Sequence, residues 1–529
     1  MNIHRIPFTE VSQLSASDVA YATQNPALRP FYQYETTLDA FAQVIKDKAK
    51  NPTDRATLVQ VLRDQYASLP AHPGVQAQVE ALADERTFTV VTAHQPSLFT
   101  GPLYFIIKIC ATIHLAQKLR AAYPDYQFVP VFVTGGEDHD FEEINHLNLF
   151  CNTLTWTNDE AGAVGQMSAA TLAPVLAQLQ EMLGDSEAAQ RVYQELAASY
   201  TRHATYGQAT VDYVHTLFAD YGLVVVDMNK PALKRLFVPI MREELLHQPS
   251  QPLIEKAQAE LTAAGFSGQA HARHINLFYL RDGLRERIER KGDQYTVLNT
   301  DYRFTEAEML AELEAHPEHF SPNVIMRPLY QELVLPNLAY IGGGGEIAYW
   351  LERKEQFAHF GLNFPMLIRR NSLLWLDRGT VKRMAKLELQ VPDLFLETET
   401  LLKKFVKNQT DNELTIQAEK EQLAQLFQSI AAKAREIDPT LAQAIEAEYT
   451  RQAKSVENLE GRLMRAEKQK HETALNQIRT LKEKLFPNNG LQERTDNFLA
   501  FYLRQGPDFF AQLIEVLDPL EEGFVVVEE

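Results

Sequence analysis

The sequence predicts an α/β fold: a parallel-sheet core with inserted connecting subdomains, followed by a long helical coiled-coil arm. Three observations predict it. A β-branched and aromatic run at 87–91, an apolar-periodic helix at 103–119 and an apolar strand at 128–133 form one strand–helix–strand unit. The second strand shows no polar alternation, the pattern of a strand covered on both faces. From about residue 380 the pattern changes to heptads, with Ile416, Leu423, Ile430 and Ile437 each seven apart.

Taken in order, residues 1–85 read as short helical segments punctuated by Pro26, Pro30, Pro52, Pro70 and Pro73. After the strand at 87–91, Gly101-Pro102 turns the chain into a helix whose Leu103, Ile106, Ile107, Cys110, Ile113 and Leu119 put one face against a core. The strand at 128–133 ends in Thr134-Gly135-Gly136. A further strand at 223–227 leads into a helix from Pro231 to about Leu246, Pro231 suiting its first turn. Residues 274–304 are short strands parted by Asp282-Gly283 and Gly292-Asp293, read as inserted hairpins. A helix-rich stretch runs to Phe357, and 365–368 is a last buried strand. In the arm, Phe427 and Ala434 fill the alternate seam positions and Asp438-Pro439 breaks the first helix. The second is expected to run from Thr440 to Leu485, roughly 70 Å at 1.5 Å per residue. Its seam passes through Val456, Leu459, Leu463 and Ala466, then Ala474, Ile478, Leu481 and Leu485. The predicted division is an N-terminal helical segment (1–85), the core with its insertions (86–379), the arm (380–487) and a C-terminal segment (488–529) that packs back on the core with a terminal strand at 524–527.

Composition narrows the function. The 529 residues carry 51 Lys and Arg against 70 Asp and Glu, a formal charge of −19. That balance disfavours nucleic acid or an anionic membrane as main partner, while permitting a local basic pocket for a small anion. Two cysteines, Cys110 and Cys151, make neither a disulfide scaffold nor a structural zinc site, and no metal site is predicted. No 18-residue apolar stretch occurs and the N-terminus has no apolar signal run, so a cytoplasmic location is expected.

Three clusters carry candidate chemistry. The first, 92–102, sits where a strand gives way to a helix, the usual place for anions or nucleotides in an α/β sheet. It offers His94, Gln95, Thr100, Gly101 and, further on, Tyr104 and Lys108. It contains no GxGxxG or GxxxxGK[ST] fingerprint, and a plain polar loop is its bland alternative. The second, 134–146, crowds Glu137, Asp138, His139, Asp140, Glu142, Glu143, Asn145 and His146 after a buried strand. Such crowding suits acid–base work or holding an amine, and Glu137, Asp138, His139 and Asp140 are the catalytic candidates; an acidic helix N-terminus is the alternative. The third, 321–350, supplies Arg327 for forked recognition of an anion, Gln331 and Glu332. There four glycines, Gly344 among them, precede a helix with Glu346 and Tyr349.

The segments TGPLYFIIK (100–108), VPVFVTGGEDHDFEEINH (129–146) and SPNVIMRPLYQELVLPNLAYIGGGGEIAYW (321–350), followed by a late coiled coil, resemble the BshC family, the cysteine ligases of bacillithiol biosynthesis. The resemblance covers essentially the whole chain in the same order. The family pattern differs at two points: a glutamine pair where this chain has His94-Gln95, and a proline in the loop written here Gly342 to Gly345. The resemblance implies a Rossmann-like core, a coiled-coil arm supporting a homodimer, and addition of cysteine to glucosaminyl malate. ATP, with Mg as its companion, is the cofactor it suggests. The candidate residues then fall into roles: Lys108 and Thr100 at phosphate, Glu137 or Asp138 at an amine, and Arg327 at the malate carboxylates. Two other readings stay open: a different adenylate-forming or nucleotidyl-transferring enzyme, and a coiled-coil scaffold whose α/β domain binds a ligand.

Overall fold

The computed structural model describes residues 2–409, 416–438 and 440–529. Its core is a five-stranded, all-parallel sheet of β1 (Thr87–His94), β2 (Gln127–Thr134), β3 (Val224–Asp227), β4 (Asn337–Gly342) and β5 (Met366–Arg369), in the order β5-β4-β1-β2-β3. Read from the β3 edge this is 3-2-1-4-5, the doubly wound order, in which the winding direction reverses between β1 and β4. Register aligns the strand ends: His94 faces Thr134, Thr134 faces Asp227, and Thr92 faces Ile341. The carboxyl ends of all five strands therefore open on one edge.

β4 lies within the stretch expected to be helical. Its six residues are all buried and bracketed by Pro336 and Gly343, too short a run for helical periodicity to declare itself. The helix α1 (Tyr104–Ala122) also departs from expectation, because it is buried nearly all round instead of on one face. One side packs on the sheet and another is covered by the C-terminal helix Phe509–Val516, where His114 Nδ1 lies 2.6 Å from the Ile514 carbonyl. An element enclosed on both sides loses its polar face.

Two further sheets flank the core. The 274–304 region forms an antiparallel five-stranded sheet in which Arg303–Thr305 and Phe320–Pro322 add two strands to the three expected. The other sheet ties the termini together: Phe524–Glu528 pairs antiparallel with Asn2–Ile6 and parallel with Leu373–Leu376. The first residues are thus a strand, stabilised by a partner more than 500 positions away that local sequence cannot reveal.

The arm consists of α3 (Gln417–Ile437), α4 (Leu441–Lys470) and α5 (Glu472–Leu485), the expected single second helix being interrupted at His471. Pro439 lies outside the described residues. α3 and α4 pair antiparallel, with the Phe427 and Tyr449 rings 5.7 Å apart and Lys420 Nζ 2.6 Å from Glu460. Half of the expected seam does not face the partner: Ile430, Ile437, Leu459 and Leu463 are exposed. A strict seven-residue repeat drifts about 20° per heptad around a straight helix, carrying these positions onto one flank. By contrast Leu475, Ile478, Leu481 and Leu485 of α5 are buried against the segment 391–406. Among the described residues no helix is long and apolar enough to cross a membrane.

Candidate active site

At the reversal between β1 and β4, the strand ends open into a cavity of about 670 Å³, within the usual range for small-molecule sites. Six arginines line it: Arg273, Arg285, Arg287, Arg327, Arg370 and Arg494. In a chain of charge −19, this concentration of cations marks a site for a polyanionic ligand.

One wall follows β2. Asp138 Oδ2 accepts a hydrogen bond from Gln95 Nε2 at 2.9 Å, and Oδ1 accepts from the His139 backbone N–H at 2.8 Å. Arg285 and Arg327 stand 3.7 and 3.9 Å from the two oxygens. Burial alone would raise the Asp138 pKa. The hydrogen bond from His139, the Arg327 and Arg285 charges and Gln95 outweigh it and hold the carboxyl well below the usual range. Arg285, itself only 3 % exposed, lies over the Phe278 ring and donates to His139 Nδ1 at 2.6 Å. Burial lowers its pKa to about 10, so it remains a cation at neutral pH. Its hydrogen bond leaves the His139 proton on Nε2.

The other wall is the reversal point itself. His94 donates from Nδ1 to the Gln95 carbonyl (2.9 Å) and accepts at Nε2 from the Tyr104 hydroxyl (2.8 Å). Burial, with Lys108 nearby, lowers its pKa to about 4, so the ring is neutral. Glu346 accepts from both Lys108 Nζ and the Tyr340 hydroxyl, and from the Gly343 N–H that opens α2 (Gly344–Trp350). Tyr349, Gln331 and Arg327 complete the lining.

The family model "Bacillithiol biosynthesis BshC, N-terminal Rossmann-like domain" matches residues 1–371, and the corresponding C-terminal coiled-coil domain matches 373–529. The chain belongs to the BshC family. Relatives named "Putative cysteine ligase BshC" include those of Flavobacterium johnsoniae (41% identical; 96% of each chain), Christiangramia forsetii (39%; 99% of this chain and 98% of the relative) and Flavobacterium psychrophilum (38%; 99% and 98%). The BshC membership makes this chain a ligase of bacillithiol biosynthesis.

Within this BshC chain, the cavity brings together His94, Gln95, Tyr104, Asp138, His139, Arg327, Gln331, Glu346 and Tyr349. Other candidates lie off it. Glu137 is buried in an ion pair with Lys234 and accepts from Ser321 Oγ, which makes it part of the scaffold. Asp140 is exposed at the start of the short helix Phe141–Ile144 without a side-chain capping bond, and Asn145 turns toward His146. Glu332 is spent on Gln331 and Asn337 in the interior. Gly344 packs on Asp18, where an added Cβ would meet the carboxylate at 2.3 Å. Thr100 is fully buried and Gly101 belongs to the same turn, so neither faces the cavity. Lys108 is fully buried and committed to Glu346 and the Ala93 carbonyl, which removes it as a phosphate ligand.

Local reading found Arg327 but not the other five arginines of the cavity. Arg285 and Arg287 come from the hairpin sheet, Arg273 from the loop before it, Arg370 from the end of β5 and Arg494 from the segment after the arm. A different group, His316, Glu318 and His319, brings metal-ligand atoms together outside the cavity; His319 is already bonded to Glu312 and Arg281.

Proposed function

We propose that the cavity joins the carboxylate of cysteine to the amine of glucosaminyl malate in the cytoplasm. The observation that carries this reading is the six-arginine lining around an ionised Asp138. The malate end bears two carboxylates, and Arg327, Arg273 and Arg287 have the charge and the forked geometry to hold them. Asp138 is a natural partner for the amine. Held far below the usual carboxylate range, it is a poor proton acceptor, so its part is orientation. His139 stands beside it, and accepting the amine's proton at Nδ1 requires release of the Arg285 hydrogen bond.

An amide forms from a carboxylate only after activation; ATP, when bound, would supply it by transferring its terminal phosphoryl group to the carboxylate oxygen, with ADP as the other product. The residues fit such a group through charge alone, the cavity's arginines gathering at the strand ends where nucleotide phosphates bind in doubly wound sheets. Oxygen leaves the cysteine carboxylate with phosphate, the amine nitrogen takes its place at carbon, and the amine releases a proton.

The test is incubation of the purified chain with cysteine, glucosaminyl malate, ATP and Mg, with mass detection of bacillithiol. Product formation that falls at least 100-fold in Arg327→Ala supports the reading; another acceptor consumed in preference would replace it.

A further inference from the structure

Beside the main cavity lies a side pocket of about 80 Å³. It shares His94, Gln95, Tyr104, Glu143 and Arg494 with that cavity, while Ser97, Pro102, His146, Leu147, Asn148 and Thr495 belong to it alone. The space accommodates only a few non-hydrogen atoms. Its charged groups are of opposite sign. The Arg494 side chain makes no hydrogen bond or ion pair among the described residues, and Glu143 receives a single neutral amide, from Gln95 Nε2 at 2.9 Å. His94 between them is uncharged.

The pocket's walls are fixed from the far end of the sequence. Phe99, Thr100 and Gly101 take φ of 46°, 73° and 60°, a left-handed run that is costly for the two residues with side chains. Asn497, fully buried, donates from Nδ2 to the carbonyls of both Phe99 (3.1 Å) and Gly101 (2.6 Å). The Leu103 N–H donates to the Asp496 carbonyl at 2.7 Å. The same C-terminal segment therefore delivers Arg494 and clamps the turn that places Pro102 and Tyr104.

We propose that this side pocket is the subsite for a small zwitterionic α-amino acid, with Arg494 taking its carboxylate, Glu143 its ammonium and Asn497 acting as a positioning residue. The assignment rests on the reading of the cavity as a cysteine ligase site. A small pocket with one arginine and one carboxylate at its border with the main cavity matches the charge pattern of such a ligand. Arg494 and Glu143 both border the main cavity, so the bound carboxylate lies within reach of the acceptor amine. The six-arginine cavity holds the acidic acceptor, and the two substrates are sorted by charge.

Calorimetric titration of the full chain, under reductant, compares L-cysteine with cysteamine, which lacks the carboxylate, and 3-mercaptopropionate, which lacks the ammonium. Arg494→Ala is expected to weaken L-cysteine and 3-mercaptopropionate about tenfold or more while leaving cysteamine unchanged; Glu143→Gln should weaken L-cysteine and cysteamine and spare 3-mercaptopropionate. Asn497→Ala should weaken all three and speed amide exchange in 97–104 without changing it in β2. The inference is overturned if L-cysteine fails to bind at millimolar concentration, or binds with no dependence on Arg494 or Glu143. A parallel titration with L-malate keeps the two readings apart. Malate binding lost in Arg327→Ala, with cysteine indifferent to Arg494, upholds the cavity and rejects the side pocket. Cysteine binding that depends on Arg494, with no malate binding, does the reverse.

Discussion

Lys108 Nζ lies 2.9 and 2.8 Å from the two carboxylate oxygens of Glu346, joining α1 to α2 across the point where the core sheet reverses. Burial lowers the Lys108 pKa and Glu346 counters it; burial raises that of Glu346, and Lys108 with the Gly343 N–H brings it below its ordinary value. Both groups are charged because each has the other. The pair is a strut of the cavity wall, and the lysine that sequence position offered to phosphate is consumed in it.

Breaking this strut from one side should be severe. Lys108→Met leaves the part-buried Glu346 without its cation, and a loss of about 1–3 kcal/mol is expected, less than for a fully buried pair. Lys108→Met with Glu346→Gln should lose less than Lys108→Met alone, because no charge is stranded. Urea denaturation of the two variants and the parent measures both.

Asp138→Asn keeps the shape of the side chain and removes its charge from between Arg285 and Arg327. Ligase activity is expected to fall at least 100-fold, with the melting temperature within a few degrees of the parent. A comparable collapse of stability and activity would make Asp138 a scaffold residue instead.

How much of this was legible follows from contact distance along the chain. β1, α1 and β2 declare themselves through uninterrupted local patterns, and their junctions delivered His94, Gln95 and Asp138. β4 hid because six buried residues between Pro336 and Gly343 are too few to show a period of their own. Arg285 lies in a strand of the expected hairpins, and only the packing of those hairpins against the cavity places it on His139 and Asp138. Arg494 and Asn497 follow the arm by a few residues and reach a turn nearly 400 positions earlier. Lys108 illustrates the converse error, since its position suited an anion and only its burial reveals its partner.

The neutral His94 gives a pH signature. Its pKa falls from the ordinary 6.5 to about 4 on folding, so between these values the unfolded chain takes up the proton first. Stability from this residue is complete above about pH 6.5 and is lost as pH falls toward 4, by at most about 3 kcal/mol. His94→Gln should flatten that part of the stability–pH curve. Imidazole NMR signals of the parent should show His94 titrating below pH 5; a midpoint near 6.5 would reject the assignment.

The arm's exposed apolar residues define the last prediction. At 100° per residue, Leu426, Ile430 and Ile437 fall within about 40° of one another on α3, as do Leu441, Leu459 and Leu463 on α4. The antiparallel pairing marked by Phe427–Tyr449 and Lys420–Glu460 turns both sets to the same flank of the hairpin. A two-helix hairpin cannot cover such a stripe from within. A second copy of the arm can, because two identical stripes related by a two-fold axis bury each other in a four-helix arrangement. Light scattering of the intact chain at micromolar concentration should therefore give twice the mass of 60.1 kDa. Leu459→Lys combined with Leu463→Lys should give a monomer whose core melts as before, since both side chains are about half exposed within the single chain. A monomeric parent, or a double variant that remains dimeric, would remove the arm from the interface.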